Sequence, residues 1–260
     1  MARARLARDH RARWIGRAAL LIALASGSGL ADDSGRKLHL DKTFRPSVIV
    51  RQGKALGTGV IIASVEGESL ILTASHVVED SPSAEIVIHR FNLGLERTRS
   101  SAGFPRRLSA TLVARDKDAD LAILRVRGEL AFPYVAQLAG GDASPANGTE
   151  VLTLGFDKGE RLIGFGTRIK TVERFDMGHG GGDRAFLVTE DPPEVGRSGG
   201  GLFRGDGTLV GVCVARAELE KGRKLGLFAP LQNVKALIRT DQNLGQTLAR
   251  SNRRAQLLAR

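Results

Sequence analysis

Short runs of apolar and β-branched residues alternate with polar turns from Ser47 to Pro230. This pattern is typical of an all-β barrel or sandwich. Six runs precede residue 128 and six follow it, which predicts two small barrels over residues 44–130 and 149–230. The runs are SVIVRQ, GTGVIIASV, SLILTAS, AEIVIHR, LSATLVAR and LAILRV, then EVLTLGF, LIGFGTRIKTV, AFLVTE, GGLFR, TLVGVCVAR and LGLFAP.

Residues 131–148, which are rich in glycine and proline, are predicted to connect the barrels. A helical period appears only in LQNVKALIRT and predicts a C-terminal helix over 231–240. The basic tail, 241–260, has the composition of an amphipathic helix for a membrane surface or partner. We expect it instead to be a solvated, frayed tail. The residues that share the apolar face of the C-terminal helix are Leu231, Val234, Leu237 and Ile238.

Residues 1–31 have the layout of a signal peptide. Six arginines and the apolar run AALLIALA precede the small residues around Ala31. The apolar run is too short to cross ~30 Å of hydrocarbon as a helix. We expect cleavage after Ala31 rather than an uncleaved anchor, and an N-terminal extension over 32–43. The mature protein is therefore expected to be soluble and exported, in a bacterial periplasm or secreted, without stable membrane insertion.

Composition excludes several classes of protein. The chain of 260 residues is 42% hydrophobic and 26% charged, which is ordinary for a globular protein. Its net charge of +11 is mostly terminal, since residues 1–31 carry +5 and four arginines follow from Arg250 onwards. The remaining +2 gives no reason to expect a nucleic-acid partner. With a single cysteine, Cys213, and no Cys/His cluster, we expect no intramolecular disulfide, metal or cofactor.

Ser198 lies among glycines in the segment GRSGGG. The segment fits both the G-x-S-x-G signature of α/β-hydrolases and the G-x-S-G-G of chymotrypsin-like proteases. A serine hydroxyl needs a neighbouring base to act as a nucleophile. The α/β-hydrolase order places that histidine after the serine, and no histidine follows Ser198. The first alternative is therefore excluded.

The candidate base is His76, because it directly follows an apolar strand in ILTASHVVED. The chymotrypsin order is histidine, aspartate and serine, which places an aspartate between His76 and Ser198 in front of a buried strand, and Asp120 in KDADLAILRV has that position. The remaining histidines are His10, His39, His89 and His179.

The chain resembles the chymotrypsin-like (trypsin-like) serine peptidases, and most closely their bacterial Deg/HtrA-like branch. The resemblance rests on GTGVIIAS with LILTASHVV, on DADLAILRV and on LVTEDPPEVGRSGGGLF, and it covers about residues 44–240. It implies an all-β fold of two six-stranded antiparallel β-barrels, with a C-terminal helix and the active site between the barrels.

The resemblance also implies the roles of the residues. His76 is the general base, Asp120 orients it, and Ser198 is the nucleophile of an acyl-enzyme mechanism. The backbone N–H groups of Gly196 and Ser198 form the oxyanion hole. The expected activity is that of an exported serine endopeptidase acting on protein or peptide substrates. The alternative is a catalytically silent, protease-like binding module.

Two features depart from the family. Arg197 stands where digestive members carry an aspartate that binds a newly freed N-terminus, so activation by that route is not expected. The chain also ends about twenty residues after the predicted helix, and we expect no PDZ domain. The oligomeric state is left open.

The specificity pocket is predicted to be mostly apolar, which suits small or medium aliphatic side chains. Glu190 or Asp191 would instead favour a basic residue if its carboxylate pointed inwards. The predicted wall residues are Asp191, Pro192, Val214, Ala215, Arg216 and Leu227.

Overall fold

A computed structural model describes residues 5–6, 40–95, 103–128, 131–141, 144–180, 182–218 and 224–258. The predicted signal peptide therefore lies outside the described residues, apart from a two-residue strand, β1 (Arg5–Leu6). This strand pairs with Ala217 and Glu218, at the end of the strand Leu209–Glu218.

The first barrel is closed and antiparallel, in the strand order β2-β3-β4-β7-β6-β5. The pairing of β2 with β5 closes it. All six apolar runs predicted for this half of the chain form strands. The strands are β2 (Ser47–Gln52), β3 (Ala55–Val65), β4 (Gly67–Ala74), β5 (Ser83–Ile88), β6 (Arg106–Asp116) and β7 (Leu121–Gly128).

The second barrel has the order β12-β11-β8-β9-β10-β13, and the pairing of β12 with β13 closes it. The predicted fold class of two six-stranded antiparallel β-barrels is thus confirmed. The strands are β8 (Glu150–Asp157), β9 (Arg161–Phe175), β10 (Arg184–Thr189), β11 (Gly201–Phe203), β12 (Leu209–Glu218) and β13 (Lys224–Pro230).

The apolar runs of the first barrel are continuous because both faces of its strands are buried. In β4, Ile71 belongs to an apolar cluster formed by the first barrel and by Phe132 of the connection. Its neighbours Leu70 and Leu72 belong to a larger cluster that also contains the core of the second barrel. Since successive side chains point to opposite faces of a strand, one face fills the barrel and the other packs outside it.

Short helical segments join the strands. The turn Leu40–Phe44 precedes β2, and 3₁₀ helices occupy Ser75–Val78 and Arg90–Leu93. The predicted C-terminal helix is α1 (Leu231–Arg239), and it buries the four residues that the period places on one face.

The C-terminal tail differs from the expectation. Residues Gln242–Leu258 form a second helix, α2, which contacts β3 of the first barrel. Ser251 is 3% exposed, and its hydroxyl accepts a hydrogen bond of 2.9 Å from the Ser64 N–H. Arg254 donates to the carbonyls of Ser64 and Phe132. The prediction of a solvated tail is therefore wrong, because polar contacts with the barrel hold a helix whose buried face is only weakly apolar.

Candidate active site

His76 lies on the 3₁₀ helix that directly follows β4. Its neighbours Val77 and Val78 are buried and anchor this helix in the first barrel. The Ser75 N–H donates to the Asp120 C=O at 3.0 Å, which ties the helix to the loop before β7. The imidazole itself is 37% exposed, so it is open to the cleft.

Asp120 reaches His76 from the turn between β6 and β7. The turn is built by the Asp116 carboxylate, which accepts the N–H groups of Asp118 and Ala119, both at 3.0 Å. Asp120 has a φ of 52°, and an aspartate adopts this left-handed conformation more readily than most residues. The tight turn places its carboxylate, which is 7% exposed, under the imidazole.

The two side chains make direct contact. Asp120 Oδ2 lies 2.6 Å from His76 Nδ1, and Asp120 Oδ1 accepts the His76 backbone N–H at 2.9 Å. An ionised carboxylate only accepts hydrogen bonds, so Nδ1 carries the proton and a neutral ring has a free lone pair on Nε2. This is the tautomer that a general base at Nε2 requires.

The serine loop, residues 190–200, joins β10 to β11. The Ser198 C=O accepts the Thr58 N–H at 2.7 Å, and the Gly199 N–H donates to the Cys213 C=O at 2.7 Å. A Cβ on Gly199 would lie 2.0 Å from the Thr58 oxygen and 2.3 Å from Thr73 Oγ1. The loop is therefore seated on the same end of β3 and β4 that carries His76.

Ser198 is half-buried. Among the described residues, no hydrogen bond joins its Oγ to His76. In unliganded enzymes such contacts are often long and tighten when substrate binds.

The backbone N–H groups of Gly196 and Ser198 point away from the residues that bind the preceding carbonyls. The Val195 C=O accepts from the Lys158 N–H at 2.9 Å, and the Arg197 C=O accepts from the Gly200 N–H at 2.8 Å. In a trans peptide the C=O and the following N–H point in opposite directions. The N–H groups of Gly196 and Ser198 therefore point away from these partners, and neither donates to a described backbone acceptor.

A tight turn supports this arrangement. The Arg197 N–H donates to the Glu194 C=O at 3.3 Å, and Gly196 has a φ of 95°. Only glycine adopts such a conformation without strain. A pair of free N–H groups next to a hydroxyl is an arrangement that can bind a developing oxyanion.

Arg197 is 2% exposed, although it neighbours Ser198. Its Nε forms an ion pair with Asp157 at the end of β8, and its guanidinium lies 4.6 Å from the ring centroid of Phe165. Sequence reasoning noted Arg197 only as a departure from the family and missed Asp157. The segment VLTLGFD, which ends with Asp157, carries no recognisable signal for this ion pair, because Arg197 is 40 residues away.

Thr58 is a second residue that sequence reasoning missed. Its buried hydroxyl donates to the Gly196 C=O at 3.0 Å and accepts the Phe156 N–H at 2.8 Å. Its backbone also binds Ser198, so one residue of β3 holds the serine loop at two points. The position of Thr58 in GTGV, between two glycines, was the available signal.

The predicted pocket residues come from three segments that meet near Gly226. Ala215 pairs with Leu227, and Arg216 pairs with Gly226, across β12 and β13. A Cβ on Gly226 would lie 3.0 Å from the Asp191 C=O, so the start of the serine loop closes over this pair. Val214 and Leu227 are buried, Pro192, Ala215 and Arg216 are half-buried, and Asp191 is exposed.

Two further titratable groups lie nearby. Burial raises the pKa of Cys213 to about 12; Arg197 and Arg216 oppose this rise, and Asp120 adds to it. The Cys213 thiol therefore stays protonated and is not a nucleophile. Burial lowers the pKa of His89, which stacks on Phe91 at 5.8 Å and on Phe156 at 6.0 Å. His179 is exposed.

Two closed barrels that bring a serine loop against a histidine–aspartate pair define a chymotrypsin-like serine peptidase. Residues 57–212 match the trypsin-like peptidase domain, and the chain belongs to that family. The resemblance found in the motifs is thus confirmed.

Relatives agree with this assignment. The chain is 26% identical over 201 residues to the putative protease Do-like 14 of Arabidopsis thaliana, which covers 76% of this chain and 44% of that protein. This chain therefore spans less than half the length of that relative.

Solved structures share the fold. One is the inactive form of a serine-to-alanine mutant of Rv3671c from M. tuberculosis H37Rv, with a TM-score of 0.60 and 21% identity over 87% of this chain and 98% of that one. Another is the apo MamO protease domain of Magnetospirillum magneticum, with a TM-score of 0.59 and 18% identity over 75% of this chain and 96% of that one. Within the described residues, no helix is both long and apolar enough to span a membrane.

Proposed function

We propose that this chain is an exported serine endopeptidase that cleaves peptide bonds in proteins through an acyl-enzyme intermediate. The observation that carries the proposal is the contact of 2.6 Å between His76 Nδ1 and Asp120 Oδ2, with the serine loop seated on the same strand ends. Export is inferred from the layout of residues 1–31.

In the first half of the reaction, Ser198 Oγ attacks the carbonyl carbon of the scissile bond while its proton passes to His76 Nε2. Asp120 stabilises the imidazolium that forms and keeps Nδ1 protonated. The N–H groups of Gly196 and Ser198 bind the oxyanion of the tetrahedral intermediate. When the C–N bond breaks, His76 gives the proton to the leaving amine.

In the second half, water replaces the amine. His76 Nε2 accepts a proton from the water as it attacks the acyl carbon, and the proton then passes to Ser198 Oγ as the ester bond between the acyl carbon and Oγ breaks. The carboxylic acid product leaves, and the enzyme regains its starting state. His76 mediates every proton transfer in the cycle.

The side chain that precedes the scissile bond is proposed to be small or medium and aliphatic. The residues predicted for the wall include the apolar Ala215 and Leu227, which pair across β12 and β13, and Gly226 leaves no room for a side chain of its own against Thr189 and Phe228. A cleavage profile on a peptide library tests this. Preferred cleavage after lysine or arginine would instead implicate the carboxylate of Glu190 or Asp191.

The test of the activity is covalent labelling of the full chain with a fluorophosphonate probe. We expect the label on Ser198, no labelling of the Ser198→Ala variant, and a loss of at least ~10³-fold in protein hydrolysis by that variant. A folded parent protein that takes no label would refute the peptidase and leave the protease-like binding module.

A further inference from the structure

The turn between β8 and β9, residues 157–160, contacts the serine loop at two points. The Lys158 N–H donates to the Val195 C=O at 2.9 Å, and the Asp157 carboxylate pairs with Arg197. Val195 and Arg197 are the two neighbours of Gly196, whose N–H is one of the proposed oxyanion donors. The turn therefore restrains the chain on both sides of that donor.

The Arg197 side chain lies in a site shaped to receive it. Phe165 covers one face of the guanidinium at 4.6 Å from the ring centroid. A Cβ on Gly155 would lie 3.0 Å from Arg197 Cγ, so the absence of a side chain at Gly155 makes space for it. Its Nη1 is buried and finds no acceptor among the described residues.

This burial has an energetic cost. A guanidinium paired with one carboxylate and left with an unsatisfied donor is less favourable than an apolar side chain of similar volume. Stability of the barrel therefore does not account for a buried arginine at this position. Its contacts instead lock the conformation of the loop to which it belongs.

We propose that Asp157 and Arg197 form a clamp that keeps the Gly196 N–H turned towards the substrate carbonyl. Arg197 is thus a positioning residue that acts through Gly196. Both members of the clamp belong to the second barrel, so the oxyanion site is ordered without a freed N-terminus. The inference rests on the proposed function, because it assigns a role within the same site.

The first test compares Asp157→Asn with the parent in hydrolysis of fluorescein-labelled casein. Loss of the charge should lower kcat about 10²-fold, because a small displacement of a catalytic donor has an effect of that order. KM should stay close to that of the parent, the melting temperature should fall because the buried Arg197 loses its counter-ion, and Asp157→Glu should recover much of the rate. The control is Glu150→Gln, which breaks the exposed Glu150–Arg168 pair of the same barrel and should leave kcat unchanged.

A double-mutant cycle with Arg197→Gln decides whether the two residues act as one unit. For a clamp, the double variant should lose no more activity than either single variant. Losses that multiply, or a folded Asp157→Asn that keeps the parent's kcat, would overturn the proposal. If Asp157→Asn does not fold, the kcat of Arg197→Gln provides the test. A fall of about 10²-fold would support the clamp, and a kcat equal to that of the parent would overturn it.

Hydrogen exchange of residues 195–200 gives a readout that does not depend on activity. Both single variants should exchange faster than the parent and the Glu150→Gln control, and equal rates would refute the clamp. A parent protein that neither cleaves casein nor takes a fluorophosphonate label would refute the proposed function instead. The two failures are thus distinguishable.

Discussion

Asp120 holds His76 by two contacts, one to the ring and one to the backbone. Its Oδ2 lies 2.6 Å from Nδ1, and its Oδ1 accepts the backbone N–H at 2.9 Å. One carboxylate thus determines both the position of the 3₁₀ helix and the tautomer of the imidazole. The two effects can be separated by a substitution that keeps the shape and removes the charge.

Asp120→Asn should fold normally and lower kcat by up to ~10⁴, the loss seen for the equivalent aspartate of trypsin-like enzymes. The amide can still accept the backbone N–H of His76, but its NH₂ group would face Nδ1 and favour the wrong tautomer. Steady-state kinetics with a labelled protein substrate measures this. The exposed Asp80, close to the same helix, provides the control Asp80→Asn, and equal activity of the two variants would contradict the assigned role.

Gly199→Ala should disrupt the serine loop. The residue has a φ of 85°, and an added Cβ would lie 2.0 Å from the Thr58 oxygen. Gly53 is a matched control, because its φ is 55° and a Cβ there would meet nothing within 4 Å. Gly53→Ala should lose only the ~1–2 kcal/mol of the left-handed backbone.

Urea unfolding and fluorophosphonate labelling of both alanine variants give the comparison. Gly199→Ala should unfold at clearly lower urea concentration than Gly53→Ala and should label at least ~10²-fold more slowly. Equal behaviour of the two variants would show that the serine loop is not seated against Thr58.

His89 should make the protein less stable in mild acid. Burial lowers its pKa in the folded state, so near pH 6 the unfolded chain binds more protons than the native one. Stability is therefore expected to fall as the pH drops below about 6.5, with a slope of at most ~1.4 kcal/mol per pH unit from this group. The fall levels off once the native histidine is also protonated.

The free energy of unfolding of the parent and of His89→Gln at pH 7, 6 and 5 measures this effect. The Asn92 backbone N–H donates to the His89 side chain, so the substitution keeps a hydrogen-bond acceptor there but removes the titration. The free energy of unfolding of the parent should fall relative to that of His89→Gln as the pH decreases. A constant difference across this range would exclude His89 as the source of the acid sensitivity.

The N-terminus of the exported protein should be Asp32. The run AALLIALA followed by small residues up to Ala31 is the layout that signal peptidases recognise. Terminal sequencing of protein recovered outside the cytoplasm measures this directly. Exported protein that still begins with Met1 would indicate an uncleaved segment instead.

The strands were predictable because their signal is local. Each predicted run forms a strand, and the face of α1 follows from residues three and four positions apart. The order of His76, Asp120 and Ser198 along the chain is equally a property of the sequence. Period and order need no knowledge of distant partners, so the sequence was enough to predict the architecture and the candidate site.

The residues that support the site from distant parts of the chain become visible only in the folded structure. Asp157 and Arg197 are 40 residues apart, Thr58 and Gly196 are 138 apart, and Ser64 and Ser251 are 187 apart. The docking of α2 rests on such contacts, which is why the sequence alone predicts a solvated tail there. Buried polar groups must find partners wherever the fold places them. Those pairings depend on the packing of whole barrels, and no local pattern encodes them.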